Sequence, residues 1–229
     1  MVEPADSLPR RAATWIAETI AAVLAARPRC SIALSGGTTP GPVYRALAAP
    51  DVSRGIAWSK VDVYFADERA VPSNDRNSNF RMVEETLLSQ VPIRAAQVHR
   101  MEGERSDLEA AATDYDRALP PALDVLVLGM GADGHTASLF PGSPALAERR
   151  RVVVVDSPKP PPRRLTITPP VIAAARHIAM VVTGAEKAAA VGLVREGGAP
   201  VTAMPAVLAR HGVWFLDPAA AAQLARGTG

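Results

Sequence analysis

Asp133 and His135 stand two positions apart inside a glycine-rich turn, Gly129-Met130-Gly131-Ala132-Asp133-Gly134-His135, that follows the apolar run Val125-Leu126-Val127-Leu128. An imidazole titrates near neutrality and can take a proton from water, and a carboxylate across the turn can orient it. The other histidines, His99, His177 and His211, sit in ordinary settings. No His-Glu-x-x-His or other ligand spacing joins any of them, which argues against a metal site.

The same stretch is a literal G-x-G-x-x-G, and Asp156 ends the next strand-like run about 20 positions beyond Gly134, as in a dinucleotide fingerprint. Two features oppose that reading. Pro141, Gly142 and Pro144 break the long helix that would hold a pyrophosphate, and an acid at Asp133 would repel one. The glycines are therefore read as holding a strained turn that presents Asp133 and His135.

Three further segments carry chemistry-bearing residues. Ser35-Gly36-Gly37-Thr38-Thr39, followed by Pro40, supplies free backbone N–H groups for a phosphate or carboxylate, or else an ordinary tight turn with a helix cap. It lacks the spacing of a nucleotide P-loop. Asp67-Glu68-Arg69 reads either as a structural ion-pair cluster or as a site, and strand alternation puts Asp67 and Arg69 on one side with Glu68 on the other. In Thr183-Gly184-Ala185-Glu186-Lys187, Lys187 falls in the first turn of an expected helix. The dipole disfavours a cation there, so an anion nearby or a lysine snorkelling outward would explain it. Arg164 follows rigid prolines and precedes an alternating run, which directs it inward. As clusters, Arg149-Arg150-Arg151 and Arg163-Arg164 read more simply as a solvated face, the alternative being that one of them reads an anionic ligand.

These segments need elements to hold them. The strands expected from the apolar runs are Ser31–Leu34, Val61–Ala66, Asp124–Leu128, Val152–Val155, His177–Thr183 and Val213–Leu216. The Ala- and Leu-rich stretches Ala12–Ala26, Pro42–Ala48, Phe80–Ser89, Ser106–Ala118, Ala185–Val194 and Pro218–Arg226 read as helices. The alternation predicts an α/β fold with an open, mostly parallel sheet and helices on both faces, Rossmann-like and doubly wound. All four polar segments follow strand C-termini, the edge where such sheets bind ligands.

Composition bounds the remaining classes. A chain of 229 residues, 48% hydrophobic, is read as a single domain over 1–229. A formal net charge of +2, only 4% aromatics and no run of five like charges argue against nucleic acid as a partner. Cys30 stands alone, so no intrachain disulfide forms, and a reducing cytoplasm is the expected setting. No run approaches about 18 continuous apolar residues, so no membrane association or export is expected.

The motifs SGGTTP, DERAVPSNDRNSNF, GMGADGHTASLFPG, PPRRLTIT and TGAEKA, in that order, resemble the bacterial-type 6-phosphogluconolactonase family. That group lies within a wider family that includes glucosamine-6-phosphate deaminase. The resemblance spans about Ser31 to Lys187. The deaminase branch carries Asn-Glu-Pro after its own Gly-His turn, where this chain has Leu139-Phe140-Pro141-Gly142. The resemblance implies cofactor-free hydrolysis of 6-phospho-D-glucono-1,5-lactone, a sugar-phosphate lactone, to 6-phosphogluconate. His135 would deprotonate water, oriented by Asp133, and Asp67 would support the imidazolium or a sugar hydroxyl. Arg69 would stabilise the oxyanion or the phosphate. The phosphate would rest on the backbone of Gly36–Thr39, beside Ser35, and be neutralised by Lys187 and Arg164. The alternatives are a sugar-phosphate deaminase or isomerase, a non-catalytic sugar-phosphate sensor, and a nucleotide-dependent oxidoreductase.

Overall fold

The computed structural model describes residues 1–224. Five parallel strands form the central sheet: β1 Cys30–Leu34, β2 Val61–Phe65, β4 Val125–Leu128, β7 His177–Val182 and β8 Val213–Leu216, in the order β2-β1-β4-β7-β8. β1 and β4 are buried along their whole length, as strands covered on both faces must be. From β1 the chain moves to β2 on one side and later returns to β4 on the other. A topological switch point therefore lies between β1 and β4, and loops after those strands splay apart to leave a crevice.

The second sheet was only partly expected. Val152–Asp156 (β5) does not join the parallel sheet but pairs antiparallel with Arg163–Ile167 (β6), which pairs in turn with Asp67–Arg69 (β3). Ala66 is the junction: its N–H donates to Leu34 O in the large sheet, and its carbonyl accepts from Ile167 N–H in the small one. β2 therefore ends at Phe65, and the next three residues are delivered to a different sheet.

The helices are α1 Leu8–Ala26, α2 Pro40–Ala48, α3 Pro50–Ser53, α4 Asn79–Thr86, α5 Leu108–Ala118, α6 Pro169–Ala174 and α7 Ala188–Glu196. α1 and α2 begin earlier than expected because a proline sits in the first turn of each, where its missing N–H costs nothing. α5 begins at Leu108 because Asp107 caps it, accepting from Ala110 N–H. The helix expected over Ala185–Val194 is instead a 3-10 turn, Ala185–Lys187, followed by α7. Lys187 is thus the cap residue of α7 rather than part of its first turn. The helix expected over Pro218–Arg226 is a series of turns through residue 223, and its last two positions lie outside the described residues. One contiguous apolar core joins α1, α2, α5, α7 and both sheets. No helix among the described residues is long and apolar enough to cross a membrane.

Candidate active site

A cleft of about 370 Å3 opens at the C-terminal edge of the parallel sheet, across the switch point. Ser35, Gly36, Gly37, Thr38, Thr39, Asp67, Arg69, His135, Arg164 and Lys187 all line it. Asp133 does not line the cleft itself; it stands behind His135, with Oδ1 2.5 Å from Nδ1. Among the described residues, no group of three or more His, Cys, Asp and Glu is placed to hold a metal ion.

The Asp133–His135 geometry follows from the turn that carries it. Gly131 N–H donates to His135 O at 2.9 Å and Gly134 N–H to Gly131 O at 3.0 Å, closing the chain tightly after β4. Gly134 has φ 76°, which favours glycine, and a Cβ there would also lie 2.2 Å from Met204 Sδ and displace that side chain. No helix follows this turn; the next regular element is the 3-10 segment Pro144–Ala147. A dinucleotide pyrophosphate would find no helix N-terminus here.

His135 is 18% exposed, with its ring 4.7 Å from that of Phe140. Burial lowers its pKa below the ordinary 6.5, against the opposing hydrogen bond and charge of Asp133, while the ammonium of Lys159 adds to the lowering. For Asp133, burial raises the pKa, but the hydrogen bond and charge of His135 and the bond from Lys159 outweigh it and hold the carboxyl at about 2. An ionised Asp133 accepts from Nδ1–H, which leaves Nε2 as the ring nitrogen available to act as a base.

The β3 triplet divides as strand alternation requires. Glu68 points away from the cleft, where its carboxylate accepts from the N–H groups of Arg69, Asn79 and Phe80 and from Ser78 Oγ, all at 2.7–2.9 Å. It caps the N-terminus of α4 and pairs with no cation among the described residues, so the ion-pair cluster is not what forms there. Asp67, on the cleft side, accepts from Ser138 Oγ at 2.7 Å and from Asn79 Nδ2 at 3.0 Å. Arg69 and Arg164 are register partners across β3 and β6. Two guanidinium groups opposite one another in a cleft wall repel, and an anion between them relieves that cost.

Arg164 is 5% exposed and lies inward, whereas Arg149 and Arg150 belong to the solvated face, Arg150 being paired with Glu148. Arg164 donates to the carbonyls of Lys159, Pro160 and Pro161 and to Ser138 Oγ. The loop after β1 meets the loop after β7 through Thr39 Oγ1 and Thr183 Oγ1, 3.2 Å apart. Lys187 is 20% exposed, so it does not snorkel to solvent, and its ammonium lies 3.8 Å from Glu186 Oε1.

Asn79, Ser138, Lys159 and Thr183 belong to this site or brace it, and none was singled out from sequence. The signal for Asn79 was its place at the end of a long polar loop entering a helix; for Thr183 it was the residue before Gly184. An added Cβ on Gly36 would fall 1.7 Å from Asn79 Oδ1, so the amide lies directly on the glycine backbone. Four buried side-chain polar atoms among the described residues lack a partner, and three of them, Ser35 Oγ, Arg69 Nε and Asn79 Oδ1, belong to this cleft. Buried polar atoms are rarely left unpaired, and a polar ligand would satisfy these.

Residues 3–215 match the family described as glucosamine-6-phosphate isomerases/6-phosphogluconolactonase. The 6-phosphogluconolactonase of Mycobacterium tuberculosis is 40% identical over 236 residues, covering 96% of this chain and 95% of its own. The solved structure of 6-phosphogluconolactonase from Trypanosoma brucei superposes with a TM-score of 0.85 at 30% identity, covering 98% of each chain. A monomeric glucosamine-6-phosphate deaminase superposes with a TM-score of 0.86 at 23% identity, over 97% of this chain and 98% of its own, which shows the shared fold.

Proposed function

The chain belongs to the glucosamine-6-phosphate isomerase/6-phosphogluconolactonase family, and from that premise we infer that it is a lactone hydrolase, opening 6-phospho-D-glucono-1,5-lactone to 6-phospho-D-gluconate. The observation that carries this reading is the Asp133–His135 pair at the wall of a cleft bearing two guanidinium groups and an ammonium. The reaction is the second step of the oxidative pentose phosphate pathway and takes place in the cytoplasm.

His135 Nε2 takes a proton from water as the water oxygen attacks the lactone carbonyl carbon. Asp133 holds the ring orientation and stabilises the imidazolium that forms, a charge Asp67 also favours. The tetrahedral intermediate collapses by breaking the bond from that carbon to the ring oxygen, and the imidazolium returns its proton to the departing alkoxide. Arg69 offsets negative charge at the oxyanion or at the phosphate. The phosphate rests on the Gly36–Thr39 backbone, with Ser35 beside it, and is neutralised by Lys187 and Arg164. These roles are assigned to the chain's own side chains and backbone, and the reaction involves no oxidation or reduction.

Amino-sugar deamination is disfavoured at one place. Leu139 and Phe140 are buried, so no carboxylate stands where the deaminase branch carries its glutamate. Fresh lactone, assayed with correction for spontaneous opening, tests the reading: wild type turns over and releases no ammonia from glucosamine 6-phosphate. His135→Ala lowers kcat by roughly 100-fold or more with little change in KM. Full activity in that variant overturns the assignment of the base.

A further inference from the structure

Lys159 lies outside every motif that placed the catalytic groups, on the proline-rich connection between β5 and β6. Its Nζ is 3.0 Å from Asp133 Oδ2 and 3.4 Å from His135 Nδ1. The carboxylate of Asp133 is thereby held at both oxygens, by the ring on Oδ1 and by the ammonium on Oδ2.

The backbone under Lys159 is held by side-chain hydrogen bonds from both Ser157 and Arg164. Lys159 N–H donates to Ser157 Oγ at 3.0 Å, and the same hydroxyl donates to Lys159 O at 2.8 Å. Buried Arg164 donates Nη2 to Lys159 O at 3.2 Å and Nε to Pro161 O at 3.2 Å. The guanidinium of Arg164 also lies over the ring of Phe140 at 5.6 Å, and that ring packs against His135. One buried cation therefore locks the connection that carries Lys159 to the turn that carries the base.

We propose that Lys159 is a positioning residue for the base, forming with Asp133 and His135 a three-membered relay in which its ammonium anchors Asp133 and opposes protonation of the imidazole. The inference rests on the lactonase reading for its catalytic part but not for its electrostatic part. Six other ionisable groups belong to the same surroundings: Asp133 and Asp67 favour the imidazolium, while Arg69, Arg164, Glu186 and Lys187 line the same cleft. Lys159 is the cation in direct contact with the ring, and its charge acts to keep the ring neutral.

The test uses Lys159→Met, which keeps the length and removes the charge, with Lys159→Arg as the conservative variant. Lys159 is 48% exposed, so both fold. The midpoint of His135 titration, read by NMR from the ring Cε1–H signal in the substrate-free protein, rises by roughly half to one pH unit in Lys159→Met. It returns toward the wild-type value in Lys159→Arg. The acid limb of kcat/KM for lactone opening moves by the same amount, and kcat at neutral pH falls about tenfold with KM within about twofold. An unmoved NMR midpoint overturns the proposal, as does an effect confined to KM, which would make Lys159 a substrate-binding group. A wild type that opens no lactone defeats the functional reading alone, because the NMR titration requires no turnover.

Discussion

At the residue scale, the central question is what would suit His135, in a mostly buried turn, to the proposed role of base. Burial lowers the pKa of His135 below 6.5, so the ring is neutral at pH 7 and its basic form is lost only as the pH falls through that lowered value. Activity should hold through neutrality and fall on the acid side with a midpoint below 6.5, measured as kcat/KM against pH. Asp133→Asn keeps the shape but presents an amide to Nδ1 and removes the charge that favours the imidazolium. We expect kcat to drop by about 1,000-fold with KM nearly unchanged. At the other end of the cleft, Lys187→Ala should act mainly on KM, raising it by about tenfold or more, if the proposed phosphate site holds, since the charge it removes would serve ground and transition state alike. The Asp133–His135 contact was legible in sequence because a tight turn fixes two side chains by local geometry alone. Lys159 was not, because its contact with Asp133 depends on how a separate β-hairpin folds back over the turn.

At the element scale, the small antiparallel sheet holds the site together. The parallel strands were readable from their continuous apolar runs, and α1, α2, α4, α5 and α7 from the helix-like stretches, whereas α3 and α6 were not expected and Pro218–Arg226 is turns where described. β3 and β6 were not, because Asp67-Glu68-Arg69 and Arg163-Arg164 are charged and their strand conformation comes from pairing, not from side-chain burial on one face. Tertiary context overrides propensity there. Glu68 shows what that context provides. Burial raises its pKa, yet four donors on two oxygens demand the anion, and those donors include the first N–H groups of α4. α4 in turn carries Asn79 to the cleft. Glu68→Ala should cost on the order of 3 kcal/mol, measured by urea unfolding, because several buried donors lose their acceptor together. It should also raise KM, since Asn79 would no longer be fixed between Gly36 and Asp67.

At the scale of the whole molecule, the two edges of the parallel sheet do different work. The C-terminal edge holds unpaired polar atoms and juxtaposed cations, features that cost stability and that the proposed anionic substrate would offset. At the N-terminal edge the fourth unpartnered atom, Asp124 Oδ1, has no hydrogen bond but faces two guanidinium groups of the fold itself. Asp124 is 5% exposed, accepts from Ser31 N–H and Ser31 Oγ at 2.9 Å each, and lies within 3.5 Å of Arg27 and Arg176. That network ties the starts of β1, β4 and β7 into one register. Asp124→Ala removes the acceptor shared by these groups and should destabilise the fold by about 3 kcal/mol, lowering Tm by roughly 10 °C. kcat and KM, measured well below that Tm, should stay within about twofold of wild type, because the cleft lies at the opposite end of the strands. Ser35→Ala at the catalytic edge should behave in the reverse sense. Its buried hydroxyl has no partner in the fold, so its loss leaves stability within about 0.5 kcal/mol while KM rises. Should Asp124→Ala abolish turnover in a protein still folded at the assay temperature, the two edges would be coupled through the strands. The register set at one end would then be what aligns His135, Asp67 and Arg69 at the other.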